Sequence, residues 1–362
     1  MPQKAKQPSP MKAGPKIHLT MKDAAIAAIR AGHNQYAPPA GIPPLRQAIA
    51  RWTSPGLEHA VDPDAEVTVT SGCTEAIPAA MLGLINAGEE IILFEPFYDA
   101  YPAAAAMAGA SVRTVLLRGP DFRFDERELR RAFTTRTAAI LINTPHNPSG
   151  RVFDRRELEL IANLCIEFGA IAIADEVYER LVFERGHVRI MSLPGMRDRT
   201  VTLSSLGKTF SLTGWKIGWA VASPELTRGI RAAHQFLTFA TSTPMQHAAA
   251  AALDAPPAYF DEYLRLYRRR RTCLVSGLRS AGLGVTEPEG GYFVMADHSV
   301  LGFSDDQAFC RMLIEEIGVA GIPCSSFYRD RGEGSKYTRF AFCKDEALIE
   351  EGMRRLSSLR QS

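Results

Sequence analysis

The residues with the clearest chemical potential lie between positions 204 and 219. Lys208 stands in a turn rich in serine, glycine and threonine, with Ser205 three residues before it and Lys216 eight residues after it. A lysine amine forms a Schiff base with an aldehyde, and a hydroxyl with a second cation can hold a phosphate. The neighbouring residues are small, apolar or aromatic, which disfavours an ordinary surface lysine. The segment therefore suits a ligand that carries an aldehyde and a phosphate.

Two earlier segments contain groups that fit the same ligand. Gly72, Cys73 and Thr74 follow a predicted strand and open a helix, where free backbone N–H groups and the Thr74 hydroxyl can cradle an anion. A simple helix cap is the alternative interpretation. Tyr98 follows the next predicted strand, and its ring can stack on a flat heteroaromatic ring, although core packing is the commoner fate of such a side chain.

Polar residues also follow the fourth and fifth predicted strands. The proline-rich turn around Asn147 directs that amide into the predicted cleft as a donor. Asp175 comes directly after a buried strand, where a carboxylate needs a cation or several donors, and a protonated pyridine nitrogen is one such cation. Tyr178 can donate to a phenolic oxygen on the same ring. The alternative for Asp175 is a helix N-cap.

Arg339 lies in a strand-like run, 337–342, whose other members are mostly apolar or aromatic. An arginine in that setting favours a carboxylate partner in a bidentate arrangement. A structural salt bridge would satisfy it, and the α-carboxylate of a substrate would fit equally well.

Seven short apolar runs alternate with amphipathic helical segments and must position these groups. The predicted strands are Val67–Thr70, Ile91–Phe94, Val112–Leu117, Ala138–Asn143, Ala170–Ala174, Val201–Leu203 and Gly218–Ala222. This alternation predicts a mostly parallel, doubly wound α/β sheet, in which ligands bind at the carboxyl ends of the strands. Beyond about residue 280 the pattern predicts a smaller α/β unit with strands near Val285–Glu287, Gly291–Ala296 and Tyr337–Cys343.

Composition excludes several classes of function. The chain has 362 residues and a formal net charge of +2, so it offers no electrostatic case for binding nucleic acid or an anionic membrane. The basic run Arg268–Arg271 is predicted to be a solvated helix face. Six cysteines without metal-ligand spacing predict free thiols, a reducing compartment and no metal site. The N-terminus has no apolar core of a signal peptide, so a cytoplasmic location is expected.

The motifs together resemble the class I/II aminotransferases, which are fold-type I enzymes dependent on pyridoxal 5'-phosphate (PLP). The resemblance runs from about Met21 to the C-terminus. It rests on Asn-Pro-x-Gly at 147–150, Asp-x-x-Tyr at 175–178 and Ser-x-x-Lys followed by a cation. The segments 207–216 and 234–247 are similar to the kynurenine, glutamine and methionine aminotransferase branch.

The resemblance implies a role for each candidate residue. Lys208 would form the Schiff base with PLP and move the substrate proton, with Asp175 on the pyridine nitrogen and Tyr98 stacked on the ring. Asn147 and Tyr178 would contact the phenolic oxygen, and Arg339 with Asn147 would bind the substrate. The phosphate would be held by Gly72, Cys73, Thr74, Ser205, Lys216 and, from a neighbouring subunit, Tyr36. The role of Tyr36 in the neighbouring subunit implies a homodimer with shared active sites.

The family also implies a fold-type I architecture with a large domain, built on a mostly parallel seven-stranded sheet, and a smaller C-terminal α/β domain. The expected divisions are a disordered tail at 1–16, an arm and helix at 17–44 associated with the small domain and the dimer interface, a PLP-binding domain at 45–278 and a small domain at 279–362. Residues 14–20 depart from the family, because relatives usually carry an apolar, glycine-rich segment there that lines the substrate side of the pocket.

The expected reaction is a ping-pong transfer of the amino group of a neutral or aromatic amino acid to a 2-oxo acid. Kynurenine, glutamine, methionine, phenylalanine and tyrosine are the candidate donors. β-Elimination from cysteine S-conjugates needs the same residues and stays open as an alternative. A non-catalytic PLP-sensing module would need an N-terminal DNA-binding unit for which the first residues leave no room, and a dehydrogenase would need a G-x-G-x-x-G after an early strand.

Overall fold

The computed structural model describes residues 17–360, so the predicted tail at 1–16 lies outside it, as does the start of the unusual segment 14–20. The helices are α1 (Ile17–Arg30), α2 (Pro43–Thr53), α3 (Cys73–Leu84), α4 (Ala100–Met107), α5 (Glu126–Ala132), α6 (Arg155–Phe168), α7 (Leu206–Thr209), α8 (Pro224–Leu237), α9 (Thr243–Leu253), α10 (Pro257–Ser280), α11 (Asp306–Met312), α12 (Arg331–Gly334) and α13 (Glu346–Leu356).

Eleven strands are present in the described part of the chain. They are β1 (Val67–Ser71), β2 (Glu90–Glu95), β3 (Ser111–Leu116), β4 (Thr137–Asn143), β5 (Ile171–Asp175), β6 (Thr200–Ser205), β7 (Ile217–Ala222), β8 (Gly284–Val285), β9 (Phe293–Asp297), β10 (Ile322–Pro323) and β11 (Tyr337–Ala341).

The seven strands predicted between residues 67 and 222 form one sheet, in the order β1-β7-β6-β5-β4-β2-β3. Only β7 runs against its two neighbours, so the mostly parallel α/β sheet of the fold-type I prediction is confirmed. Every residue of β2, β6 and β7 is buried, which explains the apolar runs in β2 and β7, while β6 buries threonine and serine side chains as well. The carboxyl ends of β4, β5 and β6 therefore lie side by side.

The C-terminal part of the chain forms a second, antiparallel sheet in the order β10-β11-β9-β8. The sequence predicted three of these strands and missed β10, because Ile322–Pro323 is too short to produce an alternating pattern. Helix α11 continues as a π-helical turn over Leu313–Ile317. The predicted domain boundaries, between residues 44 and 45 and between 278 and 279, stay predictions.

The run Arg268–Arg271 lies on α10, but the prediction of a solvated face was wrong for half of it. Arg270 and Arg271 are buried, and Arg271 pairs with Glu184 at 2.8 Å. Arg268 donates to the carbonyl oxygen of Phe183. Consecutive helix residues point in different directions, so four adjacent arginines cannot all face water on a helix that packs on one side.

No helix between residues 17 and 360 combines the length and the apolar content that a membrane crossing requires.

Candidate active site

One cavity of about 320 Å³ lies at the carboxyl edge of the large sheet, within the size range of small-molecule sites. Eleven of the twelve predicted site residues line it. They are Gly72, Cys73, Thr74, Tyr98, Asn147, Asp175, Tyr178, Ser205, Lys208, Lys216 and Arg339. The groups come from seven different segments of the chain, and the sheet brings them together.

The predicted phosphate-binding groups surround the first turn of α3. Gly72 is the N-cap of this helix and has φ +71°, a conformation that glycine adopts without strain. The Lys216 ammonium donates to the Thr74 hydroxyl at 3.1 Å. β7 packs closely against this turn at Gly218. A Cβ at that position would lie 2.4 Å from the Gly72 carbonyl carbon, so only glycine permits the close approach. Free N–H groups, a hydroxyl and a cation thus converge on one place.

Asp175 is the last residue of β5, and its side chain is buried among donors rather than beside an arginine. Tyr101 donates to Oδ2 at 2.7 Å, while the Val177 amide donates to Oδ1 at 3.3 Å and the Cys73 thiol lies 3.7 Å from the same oxygen. Burial raises the pKa of Asp175, and these donors together with Lys208 oppose that rise. No helix begins at Asp175, so it is not an N-cap.

Lys208 lies on the short helix α7, directly after β6. The sequence forms this turn because Ser205 ends the strand and the backbone of Leu212 bonds back to Gly207. Burial lowers the pKa of Lys208, although the negative charge of Asp175 opposes the shift. The amine is therefore closer to its neutral, nucleophilic form than a surface lysine would be.

Two tyrosine rings enclose the Lys208 amine. Its nitrogen lies 5.7 Å from the centre of the Tyr178 ring and 5.8 Å from that of Tyr292. The two rings meet edge to face, with their centres 5.2 Å apart. Burial raises the pKa of both hydroxyls, so both stay protonated and can act as donors at neutral pH.

Arg339 enters the cavity from β11, a strand of the second sheet. Its Nη1 donates to Asn147 Oδ1 at 3.0 Å, and its guanidinium lies 4.3 Å from the centre of the Phe293 ring. Burial lowers the pKa of Arg339, as expected for a cation packed between aromatic rings. The bond goes to a neutral amide, which leaves the charge available for a carboxylate ligand.

Tyr36 lies outside this cavity. Its side chain is 83% exposed and meets the Phe239 ring edge to face at 5.4 Å. Thr74 and Lys216, on the predicted phosphate side, are also exposed in the single chain. The proposed reach of Tyr36 into a neighbouring subunit stays a prediction.

The residues present fit PLP. A dianionic phosphate suits the α3 N-terminus with Thr74 and Lys216. A protonated ring nitrogen suits Asp175, because a carboxyl buried without a charged partner gains most from a cation. An aldehyde suits an amine whose pKa burial has lowered, as in Lys208.

Sequence reasoning missed several polar or aromatic residues in or beside the site, among them Asn143, Tyr101 and Tyr292. Asn143 ends β4 and pairs in register with Asp175, and its side-chain oxygen accepts a hydrogen bond from the backbone N–H of Asn147 at 2.7 Å. Its position at a strand end was a usable signal. Tyr101, three residues after Tyr98, gave only the weaker signal of helical spacing, and Tyr292 gave none.

A buried charged cluster follows Asp175 along the chain. Arg189 Nη2 lies 2.5 Å from Glu179 Oε2, and its Nε lies 3.4 Å from Glu176 Oε2. His187 Nε2 is 3.0 Å from the same Glu176 oxygen, without a hydrogen-bonding angle. Trp52 donates to Glu179 at 2.7 Å. Because Arg189 already supplies a cation, the cluster is organised as an ion-pair network.

Comparison with known proteins agrees with this arrangement. The sequence model of the family "Aminotransferase class I and II" matches residues 7–356. The chain belongs to the class I and II aminotransferases. It is thus an aminotransferase of fold type I that depends on PLP, as the sequence predicted.

Individual relatives place this aminotransferase near the kynurenine and methionine branch. It is 44% identical to the probable N-succinyldiaminopimelate aminotransferase DapC of Mycobacterium tuberculosis, over 94% of this chain and 89% of that protein. It is 39% identical to the methionine aminotransferase of Escherichia coli, over 91% and 85% of the two chains. The solved structure of the mycobacterial enzyme superimposes with a TM-score of 0.93, covering 98% of this chain and 92% of that one.

Proposed function

We propose that this aminotransferase moves the amino group of a neutral or aromatic amino acid to a 2-oxo acid by a ping-pong mechanism, with Lys208 as its catalytic base. The observation that carries the proposal is the single cavity that contains Lys208, Asp175 and Arg339. An amine, a buried carboxylate and a carboxylate-binding cation are the three groups that the reaction needs.

PLP, when bound, supplies an aldehyde for the amine and a ring that withdraws electrons from the substrate Cα. Asp175 holds the ring nitrogen protonated, which sustains this withdrawal. Lys208, with its lowered pKa, takes the proton from the substrate Cα and returns it. Tyr178 and Asn147 would donate to the phenolic oxygen of PLP, and Tyr98 would stack on its ring.

The remaining residues hold the two anionic groups. The phosphate is held by the α3 N-terminus with Gly72, Cys73 and Thr74, and by Ser205 and Lys216. Arg339 binds the α-carboxylate of the amino acid, since a guanidinium recognises a carboxylate with two parallel hydrogen bonds. With both ends fixed, the Cα proton is held near the Lys208 amine.

Two observations favour a neutral or aromatic side chain. The cavity is also lined by apolar residues, among them Ile77, Leu212 and Phe293. A relative that is 39% identical is named a methionine aminotransferase, and one that is 35% identical, over 94% of this chain, is named the kynurenine–oxoglutarate transaminase of Dictyostelium discoideum. The name of the mycobacterial relative makes N-succinyldiaminopimelate a second candidate substrate.

We also propose a cytoplasmic homodimer. Tyr36 is exposed, and so is Phe239, whose ring it contacts, at 42%. Phe236, three residues before Phe239, is 87% exposed. Thr74 and Lys216 face open solvent in one chain, so a side chain from a second copy has room to complete the phosphate site. The cytoplasmic location rests on the six free cysteines.

The test is a half-reaction series in which the PLP-loaded protein is mixed with single amino acids and the visible absorption of the lysine-bound cofactor is followed. Methionine, kynurenine, glutamine, phenylalanine, tyrosine, N-succinyldiaminopimelate and aspartate form the panel. Rapid loss of absorption with the neutral and aromatic donors supports the proposal, while a response to aspartate alone contradicts it. Lys208→Ala should lose both the absorption and the turnover.

A cysteine S-conjugate in the same series separates transamination from β-elimination. Release of ammonia and pyruvate when no 2-oxo acid has been added as acceptor would assign the activity to a lyase. Conversion that stops after one turnover until a 2-oxo acid is added would assign it to an aminotransferase.

A further inference from the structure

The two carboxylate oxygens of Asp175 are bound by different kinds of donor. Oδ1 accepts the Val177 amide at 3.3 Å and lies 3.7 Å from the Cys73 sulfur, which is a weak donor. Oδ2 accepts the Tyr101 hydroxyl at 2.7 Å, the shortest of these contacts. One phenol therefore provides the strongest neutral hydrogen bond to this buried carboxylate.

Tyr101 is held in place from several sides. It lies in the first turn of α4 and its side chain is 3% exposed. Its backbone amide donates to the Tyr98 carbonyl at 3.0 Å, and the two rings meet edge to face at 5.6 Å. A hydroxyl fixed in this way needs no reorganisation to bind Asp175.

We propose that Tyr101 is a positioning residue for PLP, because its hydroxyl orients the Asp175 carboxylate and keeps it ionised for the ring nitrogen. The inference rests on the proposed function in one respect, namely that Asp175 faces that nitrogen. Tyr101 itself acts through Asp175 and is given no contact with the cofactor.

The electrostatic surroundings explain why such a donor is needed. Five titratable groups interact with Asp175, namely Cys73, Tyr98, Tyr101, Tyr178 and Lys208. They come from α3, α4, α7 and the segments that follow β2 and β5. In this set only Lys208 is a cation, and burial lowers its pKa. Ionised Asp175 therefore depends on neutral donors, of which Tyr101 is the closest.

Tyr101→Phe removes one oxygen and retains the ring, so it isolates the hydrogen bond from the packing. The dissociation constant of PLP is measured on the apoprotein by equilibrium dialysis from pH 6 to pH 9. We expect PLP to bind about tenfold more weakly near pH 7, the size of effect that a hydrogen bond to a charged group produces. Without the donor the pKa of Asp175 rises further, so the loss should grow as pH falls and shrink as pH rises.

Tyr259→Phe is the matched control. Tyr259 is also a buried tyrosine, and its hydroxyl donates to the Thr209 carbonyl at 3.1 Å rather than to Asp175. It should retain the PLP affinity of the natural protein at every pH. Equal weakening in both variants would overturn the inference, because it would show a general effect of losing a buried hydroxyl.

A double-mutant cycle with Asp175→Asn shows whether Tyr101 acts through the carboxylate. Tyr101→Phe should have little further effect in the Asp175→Asn background, and a full tenfold effect there would overturn the inference. If Asp175→Asn alone leaves PLP affinity unchanged, the proposed role of Asp175 fails first. If Asp175→Asn weakens PLP binding and Tyr101→Phe does not, only the inference about Tyr101 fails.

Discussion

At the scale of single residues, the site depends on charged groups that burial drives toward neutrality. Burial raises the pKa of Asp175 and lowers those of Lys208 and Arg339. The shifts of Asp175 and Arg339 favour binding of a ligand group with the complementary charge, which compensates for the lost solvation, while the shift of Lys208 favours its neutral, nucleophilic form. PLP and an amino acid together supply a cation for the carboxylate and an anion for the guanidinium.

Arg339→Lys should raise KM for the amino acid by about tenfold or more while leaving PLP affinity nearly unchanged. A lysine retains the charge but cannot form two parallel hydrogen bonds with a carboxylate. Steady-state kinetics with methionine and with kynurenine measure the effect. An unchanged KM with a lowered unfolding midpoint would instead make Arg339 a structural residue, held by Asn147 and the Phe293 ring.

At the scale of elements, the register of the strands decides which polar residues meet. Asn143 and Asp175 are paired neighbours at the ends of β4 and β5, and Ser205 ends β6 beside them. Close packing of β7 against the start of α3 completes the arrangement on the phosphate side. The contact of Gly218 with Gly72 and Cys73 joins residues more than one hundred positions apart.

Gly218→Ala should weaken PLP binding and lower the unfolding midpoint. Its Cβ would lie 2.5 Å from the Cys73 nitrogen, so the first turn of α3 would have to move. The matched control is Gly214→Ala, whose Cβ meets nothing within 4 Å. Equilibrium dialysis with PLP and thermal unfolding distinguish the two, and equal behaviour would contradict the packing argument.

Arg189→Met should destabilise the protein by about 3–5 kcal/mol, because it leaves Glu176 and Glu179 buried without their cation. Urea unfolding of the PLP-saturated protein measures this change. Arg156→Met is the control, since its pair with Glu126 at 2.9 Å is largely exposed and contributes no more than about 1 kcal/mol. A loss below that of the control would mean that the network tolerates two unpaired carboxylates.

At the scale of the whole molecule, the aromatic side chains of Tyr36, Phe236 and Phe239 are exposed in a single chain, and the rings of Tyr36 and Phe239 are in contact. Contiguous exposed aromatic groups mark interaction surfaces. A second copy of the chain is the occupant that we propose, because Thr74 and Lys216 of the phosphate site are also exposed in one chain.

Phe236→Glu should convert a dimer into monomers and weaken PLP binding with it. Analytical ultracentrifugation should give the natural protein twice the chain mass of 39.7 kDa and the variant that mass alone. Val300→Glu, which also places a carboxylate at an exposed apolar position, should stay dimeric. A natural protein that sediments as a monomer at micromolar concentration would contradict the shared site.

Much of the fold followed from local patterns. Continuous apolar runs separated by amphipathic segments identified the seven strands of the large sheet, since strands covered on both faces need apolar residues throughout. Strand β10 was missed because two residues are too few to show an alternating pattern. Arg270 and Arg271 were wrongly predicted to be exposed, because a run of like charges does not reveal which face of the helix packs against the protein.

The sequence by itself determined the family, the cofactor and the candidate lysine. These three predictions rest on motifs of residues that lie close together in the sequence, such as Asp175 with Tyr178 and Ser205 with Lys208. Only the tertiary structure decided that Tyr101 bonds to Asp175 and that Asn147 bonds to Arg339. The reason is physical: these contacts join side chains from separate helices and sheets, and the burial that shifts their pKa values exists only after the chain has packed.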